Sequence, residues 1–226
     1  MRYPGGKNVE WRRVVNRIPP HRVYVEPFLG SGAVLRHKRA AERSIGLDTD
    51  PEAIGAVRAA LGDRPDVELR CDDGIDYLDG LAARRPGPAV CVYADPPYLP
   101  ETRTKRIQYG PHELTRDDHV RLLAIVRRLG CRVLLSGYPS ELYAEALVGW
   151  RVYQFRAMTR GGVPRTECLW MNYPEPAELH DPSQIGETWR EREKYRKQQR
   201  RWRDRLRRMG PLQRQALLAA IEEEGT

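Results

Sequence analysis

The ten residues AVCVYADPPY, at positions 89–98, join an apolar run to a rigid acidic turn. The run Ala89–Ala94 has no charged residue and contains two valines and a tyrosine, which is typical of a buried strand. The turn that follows contains Pro96 and Pro97, and two successive prolines stiffen a loop. We therefore expect a buried strand whose carboxyl end presents Asp95 and Tyr98.

Apolar runs alternate with helical patterns on both sides of this stretch. Strands are predicted at residues 22–26, 44–47, 67–70, 89–94 and 132–136, with a closing antiparallel pair at 151–157 and 166–172. Helices are predicted at residues 31–42, 51–61, 74–83, 114–129 and 140–147. This alternation predicts an α/β fold with a mostly parallel sheet and helices on both faces. In such sheets, ligands bind beyond the carboxyl ends of the strands.

The carboxyl-terminal segment differs from the rest in its charge. The chain has a formal net charge of +8, and residues 189–209 alone contain eleven Lys or Arg and three Asp or Glu. The remaining chain is therefore close to neutral. We expect an α/β catalytic domain at residues 1–173, a proline-rich linker at 174–186, and a basic helical tail at 187–226 with helices at 187–208 and 212–224.

Several classes of protein are excluded by composition. No run approaches the roughly 18 apolar residues of a membrane span, and no signal-peptide pattern is present. The five histidines show no metal-ligand spacing, so no metal is expected. The cysteines form no Cys-x-x-Cys pair and are interpreted as free thiols of a cytoplasmic protein. They are Cys71, Cys91, Cys131 and Cys168.

The acidic turn suits one chemical task, the capture of an exocyclic amino group. Such an amine is a poor nucleophile because its lone pair is delocalised into the ring. The Asp95 carboxylate can accept one amine hydrogen and the Pro96 carbonyl the other, which localises the lone pair. Pro97 keeps the loop rigid, and Tyr98 offers a face on which an extruded base can stack. The alternative is an ordinary proline-rich turn after a strand.

A glycine turn, EPFLGSG at positions 26–32, follows the first predicted strand. Gly30 and Gly32 would let the backbone pass close to a ligand at a helix N-terminus. Asp48 follows the second strand, where a carboxylate can accept hydrogen bonds from ribose hydroxyls. Asp72 and Asp73 follow the third strand, where the adenine ring of a cofactor would lie. The alternative for this pair is a helix cap before Gly74.

Together, these motifs resemble those of the DNA adenine methylase family that includes the GATC-type enzymes. The resemblance covers about residues 2–173 and rests on YPGGK at 3–7, EPFLGSG at 26–32, LDTD at 47–50 and DPPY at 95–98. It implies a Rossmann-like S-adenosylmethionine-dependent methyltransferase fold, and methyl transfer to adenine N6 of double-stranded DNA with S-adenosylmethionine as the cofactor. Base capture is assigned to Asp95, Pro96, Pro97 and Tyr98. The residues expected to contact the cofactor are Tyr3, Lys7, Glu26, Phe28, Gly30, Gly32, Asp48, Asp73 and Asp95.

The sequence departs from that family in one respect. Only about 20 residues separate Asp73 from Asp95, where the family usually has a sizeable helical recognition domain, so a GATC target is not implied. Base contacts are therefore expected from two loops, although their cations could contact phosphate only. The candidate residues of these loops are Arg103, Lys105, Arg106, Arg160 and Arg165.

The basic tail is expected to neutralise DNA phosphates, with Arg196, Arg200 and Arg203 among its contacts. The alternative is a solvated helix that packs only its aromatic residues. We expect a monomer. Three other functions stay open: methylation of cytosine N4, methylation of adenine N6 in RNA, and DNA binding by a catalytically silent chain.

Overall fold

The structure is a computed structural model that describes residues 10–102, 112–158 and 164–224. The chain forms two compact units, Met1–Asp181 and Pro182–Thr226. The boundary between them falls inside the segment 174–186, which the proline content assigns to a linker. Residues up to Asp181 therefore belong to the first unit.

The first unit is built on a mixed sheet. Its strands are β1 (Val23–Glu26), β2 (Arg43–Asp48), β3 (Val67–Cys71), β4 (Val90–Ala94), β5 (Arg132–Gly137), β6 (Arg151–Met158) and β7 (Pro164–Met171). Their order is β3-β2-β1-β4-β5-β7-β6. Strands β1 to β5 run parallel, and β7 runs antiparallel to both β5 and β6. The predicted α/β fold, with its parallel sheet and closing antiparallel pair, is confirmed.

Helices cover both faces of this sheet. They are α1 (Trp11–Val15), α2 (Ala33–His37), α3 (Pro51–Leu61), α4 (Gly74–Ala83), α5 (Arg116–Arg128) and α6 (Glu141–Ala146). Successive residues of a strand point to opposite faces, so Tyr24 and Tyr93 pack with the buried side chains of α1, α2 and α3. Val25 and Val92 pack with those of α4, α5 and α6. The result is a three-layer core.

The strand order reverses between β1 and β4, and this reversal positions a site. The chain leaves β1 towards β2 and leaves β4 towards β5, so a crevice opens at the carboxyl ends of β1 and β4. Val25 pairs with Val92, which brings Glu26 close to the end of β4. Ala94 pairs with Leu135, which places Asp95 opposite Ser136. Polar residues from three strands thus meet at one edge.

The predicted helix at residues 31–42 is wrong in its extent. Helix α2 ends at His37, and Lys38 has extended backbone. Tertiary hydrogen bonds compete with the helix there, because the Arg39 amide donates to Asp181 Oδ2 at 3.0 Å. The His180 Nε2 atom also lies 3.1 Å from the Ala40 carbonyl oxygen. Helix α1 was not predicted.

The second unit contains two helices, α7 (Trp189–Arg208) and α8 (Pro211–Glu224). Thr188 and Glu191 form a reciprocal capping box at the start of α7, which fixes that helix end. The aromatic residues of α7 are exposed, and Trp189 is 68% exposed. None of the helices in the described part of the chain combines the length and apolar character that a membrane span requires.

Candidate active site

The carboxylate of Asp95 is held by the neighbouring strand. Ser136 is fully buried at the end of β5, and its Oγ donates to Asp95 Oδ1 at 2.5 Å. The Tyr93 hydroxyl lies 3.3 Å from the same Oγ. Serine has only one hydroxyl hydrogen and the carboxylate takes it, so Tyr93 is the donor to Ser136. This chain of hydrogen bonds fixes the orientation of the carboxylate.

Tyr98, the last residue of the acidic turn, belongs to a wall of three side chains. Its ring meets that of Tyr138 edge to face, with centroids 4.4 Å apart and planes at 68°. The guanidinium carbon of Arg165 lies 5.0 Å from the Tyr138 centroid, and Arg165 Nη1 donates to the Thr102 carbonyl oxygen at 2.5 Å. Tyr138 therefore packs directly on the Tyr98 ring, and Arg165 links Tyr138 to Thr102.

The glycine turn after β1 requires glycine at two positions. Gly30 has φ of 50° and Gly32 has φ of 61°, both in the left-handed region. A Cβ at Gly32 would also lie 3.0 Å from a methyl of Val57. The Gly30 amide donates to Asp48 Oδ2 at 2.7 Å, so the end of β2 anchors the turn.

Asp48 is nearly buried and uses both carboxylate oxygens. Its Oδ1 accepts from the Asp50 amide at 3.0 Å, in addition to the Gly30 bond at Oδ2. Burial raises the pKa of Asp48, and these two backbone hydrogen bonds oppose the shift. His112 also lowers this pKa, and its Nδ1 lies 2.7 Å from the hydroxyl of Thr49. His112 therefore lies beside the position predicted for the ribose.

Glu26 is buried at the end of β1 and joins that strand to α2. Its Oε2 accepts from the Tyr24 hydroxyl at 2.9 Å and from the Leu35 amide at 3.1 Å. Burial raises the pKa of Glu26 to about 8, opposed by the Tyr24 hydrogen bond and increased further by the Asp95 carboxylate. Glu26 therefore organises the floor of the glycine turn.

Asp73 is the N-cap of α4. Its Oδ1 accepts from the amides of Ile75 and Asp76 at 2.8 and 2.9 Å, which is the helix-cap alternative named for it. A Cβ at Gly74 would lie 2.1 Å from the Pro27 carbonyl oxygen, so the start of α4 packs tightly on the glycine turn. Phe28 is partly buried against the α4–α6 core, which confines its ring to one side of that turn.

The other predicted site residues are distributed unevenly. Tyr3, Lys7, Arg103, Lys105, Arg106 and Arg160 lie outside the described residues. Arg196, Arg200 and Arg203 lie on α7 in the second unit. Among the described residues, no group of three His, Cys, Asp or Glu side chains could hold a metal ion.

Four residues of the site had no predicted role. Ser136 and Tyr138 belong to the stretch VLLSGY at 133–138, which contains no recognisable chemical motif. Tyr143 lies close enough to Asp95 for that carboxylate to raise its pKa further, in addition to the effect of burial. His112 has no sequence spacing that relates it to Asp48. Only the strand register and the loop path bring these residues to the site.

The sheet order brings the glycine turn and the acidic turn to the carboxyl ends of neighbouring strands. Residues 3–85 match the model of the D12 class N6 adenine-specific DNA methyltransferase family. The resemblance inferred from the motifs is thereby confirmed over that part of the chain. No curated protein sequence matches this one.

A comparison with solved structures finds similar chains of low sequence identity. The SAM-dependent methyltransferase from Agrobacterium tumefaciens is 18% identical with a TM-score of 0.47, over 73% of this chain and 61% of that one. An rRNA methylase from Streptococcus thermophilus is 15% identical with a TM-score of 0.43, over 71% and 92%. The precorrin 8W decarboxylase from Methanobacterium thermoautotrophicum is 18% identical with a TM-score of 0.45, over 76% and 94%.

The residues at this edge fit S-adenosylmethionine. A carboxylate offers about four acceptor positions, and the two backbone bonds of Asp48 leave capacity for ribose hydroxyls. The left-handed glycines Gly30 and Gly32 allow close approach of the backbone at the adjacent turn. The donor set is oxygen and backbone amide, which suits a nucleoside.

Proposed function

We propose that this chain transfers the methyl group of S-adenosylmethionine to N6 of adenine in DNA. The main support is the position of the acidic turn. Asp95-Pro96-Pro97-Tyr98 follows β4 at the strand-order reversal, and Ser136 fixes the Asp95 carboxylate. Glu26 ends β1, and Val25 pairs with Val92 of β4, so the glycine turn and the acidic turn start at neighbouring strand ends.

Base capture is the first step. The target adenine must leave the duplex to reach a site at a sheet edge, at a cost of a few kcal/mol. Asp95 accepts one hydrogen of the N6 amine, and the carbonyl of the buried Pro96 accepts the other. Tyr98 stacks on the base. Its contact with Tyr138 holds the Tyr98 ring in one orientation before the base binds, so less side-chain entropy is lost on binding.

Transfer then depends on orientation. S-adenosylmethionine supplies an electrophilic methyl group on a sulfonium, and Asp48 with the turn at Gly30 and Gly32 would hold it. Two hydrogen bonds to N6 localise the amine lone pair towards that methyl group. The N6 proton that is lost after transfer passes to the Asp95 carboxylate, which is already hydrogen-bonded to it.

DNA binding is assigned to the basic helix α7. It contains eleven Lys or Arg and three Asp or Glu. Such a helix gains from the release of phosphate counterions and requires no base contact. Affinity for the phosphate backbone then does not have to come from the first unit.

Methyl incorporation tests the proposal. Purified protein is incubated with labelled S-adenosylmethionine and either duplex DNA or structured RNA, and the product nucleosides are separated by mass spectrometry. We expect N6-methyladenine in the DNA reaction. N4-methylcytosine as the product would identify cytosine as the target base, and label confined to RNA would identify RNA as the substrate. Binding to DNA without methyl transfer would indicate a catalytically silent protein.

A further inference from the structure

A pocket lies one aromatic ring away from Tyr98. Its volume is about 360 Å³, within the range of pockets that bind small molecules. It lies between the turn at Pro100–Thr102, the β5–α6 loop and the start of β7. Its lining residues are Glu101, Thr102, Tyr138, Pro139, Arg165 and Thr166. None of them belongs to the acidic turn or the glycine turn.

Tyr138 separates this pocket from the proposed base site. Its ring contacts Tyr98 edge to face and also lies under the Arg165 guanidinium. A ligand in the pocket is therefore a neighbour of whatever stacks on Tyr98. On a nucleic acid strand, the neighbour of the target base is the adjoining nucleotide.

The pocket has the polar groups of a nucleobase site. Arg165 is half-buried and fixed by Thr102 and Tyr138, so its remaining N–H donors point from a rigid fork. Glu101 supplies carboxylate acceptors and is oriented by Arg116, whose Nη1 donates to Glu101 Oε1 at 2.5 Å. The Glu101 carboxylate would repel a lone phosphate. A base edge that has both acceptors and donors can instead accept from Arg165 and donate to Glu101.

Building on the proposed function, we infer that this pocket reads the nucleobase that adjoins the target adenine. Guanine is the best complement. Its O6 and N7 accept the bidentate donors of an arginine, and the N4 amino group of the paired cytosine, on the same major-groove edge, can donate to Glu101. Pro139 and Tyr138 supply apolar surface for the ring. The pocket thus supplies sequence readout that the missing recognition domain would otherwise provide.

Selection from a random duplex DNA pool tests this inference without methyl transfer. The full chain is incubated with the pool and S-adenosylhomocysteine, and bound sequences are recovered and sequenced. The variants are Arg165→Ala and Arg165→Lys. The matched control is Arg127→Ala, which removes an exposed arginine from the last turn of α5. Arg127 is not one of the residues that line the pocket. Thermal melting checks that each variant folds.

We expect wild type and Arg127→Ala to enrich guanine beside one adenine, and both Arg165 variants to lose this preference about tenfold. Lysine retains the charge but lacks the planar fork, so loss in Arg165→Lys separates base readout from phosphate contact. The inference is overturned if Arg165→Lys keeps the preference, if Arg165→Ala leaves it unchanged, or if wild type enriches no base. The methyl assay above reports separately on the proposed function.

Discussion

The sheet edge and helix α7 use charge in opposite ways. At the edge, the carboxylates of Glu26, Asp48 and Asp95 are buried or half-buried, and each accepts hydrogen bonds from its surroundings. On α7, residues such as Arg200 and Arg203 are exposed. Fixed groups aimed at a reacting atom accelerate chemistry, whereas attraction to a polyanion needs only net charge. Under the proposed function, the first region carries out catalysis and the second provides affinity for DNA.

Substitution of Asp95 should have the largest effect. Asp95→Ala removes the carboxylate that accepts the amine hydrogen, so we expect turnover to fall about a thousandfold. DNA affinity should stay within about twofold, because α7 supplies the charge. Labelled methyl transfer and fluorescence anisotropy measure the two. Asp63→Ala, an exposed aspartate before β3, is the control and should leave both unchanged. Near-normal methyl transfer by Asp95→Ala would contradict the assigned role.

Ser136 should act through Asp95 and not through binding. Ser136→Ala removes the buried hydroxyl that donates to Asp95, so we expect kcat to fall about tenfold while KM for S-adenosylmethionine stays nearly constant. Ser44→Ala removes another buried serine hydroxyl, on β2, and serves as the control for folding. Equal losses of kcat in the two variants would show that Ser136 has only a structural role.

Neutralising α7 should change affinity without changing chemistry. In the triple variant Arg196→Ala, Arg200→Ala and Arg203→Ala, we expect the slope of log Kobs against log salt to fall by up to about 2.7. The kcat at saturating DNA should stay unchanged. Binding titrations at several salt concentrations measure the slope.

The control for that variant removes the same charge from the first unit. Arg58, Arg84 and Arg127 are exposed at the carboxyl ends of α3, α4 and α5. Their replacement by alanine should leave the salt slope nearly unchanged. If both triple variants reduce the slope equally, affinity does not reside in α7.

Glu26 should affect stability and not the chemical step, through a dependence of the free energy of unfolding on pH. Its pKa is about 8 in the folded chain, against an ordinary value of 4.5, so the folded state retains a proton in that interval. The free energy of unfolding should therefore decrease as pH rises from about 5 to 8, by at most about 1.4 kcal/mol per pH unit. In Glu26→Gln this contribution should be absent. Urea denaturation of both proteins at several pH values measures the difference, and parallel pH profiles would contradict the assigned pKa.

Residues at the ends of strands were the predictable part of the site. Asp48 and Asp95 each follow an apolar run, and the parallel sheet implied by the alternation of elements brings such ends to one edge. Positions 26–32 were predictable for a similar reason, since two glycines before a helix indicate a left-handed turn. The fold and the main site residues could therefore be inferred locally.

Residues that depend on register or tertiary contacts were not predictable. Ser136 meets Asp95 only because Ala94 pairs with Leu135, and no local pattern encodes that pairing. The end of α2 depends on Asp181, more than 140 positions away from Arg39. Asp73 had two interpretations from sequence, and the structure shows the cap geometry directly.

A crystal structure with duplex DNA and S-adenosylhomocysteine would measure the geometry of the captured base. We expect an adenine outside the duplex, stacked on Tyr98, with N6 about 3 Å from both an Asp95 carboxylate oxygen and the Pro96 carbonyl oxygen. An adenine that is bound elsewhere, or whose N6 contacts neither oxygen, would contradict the proposed base capture.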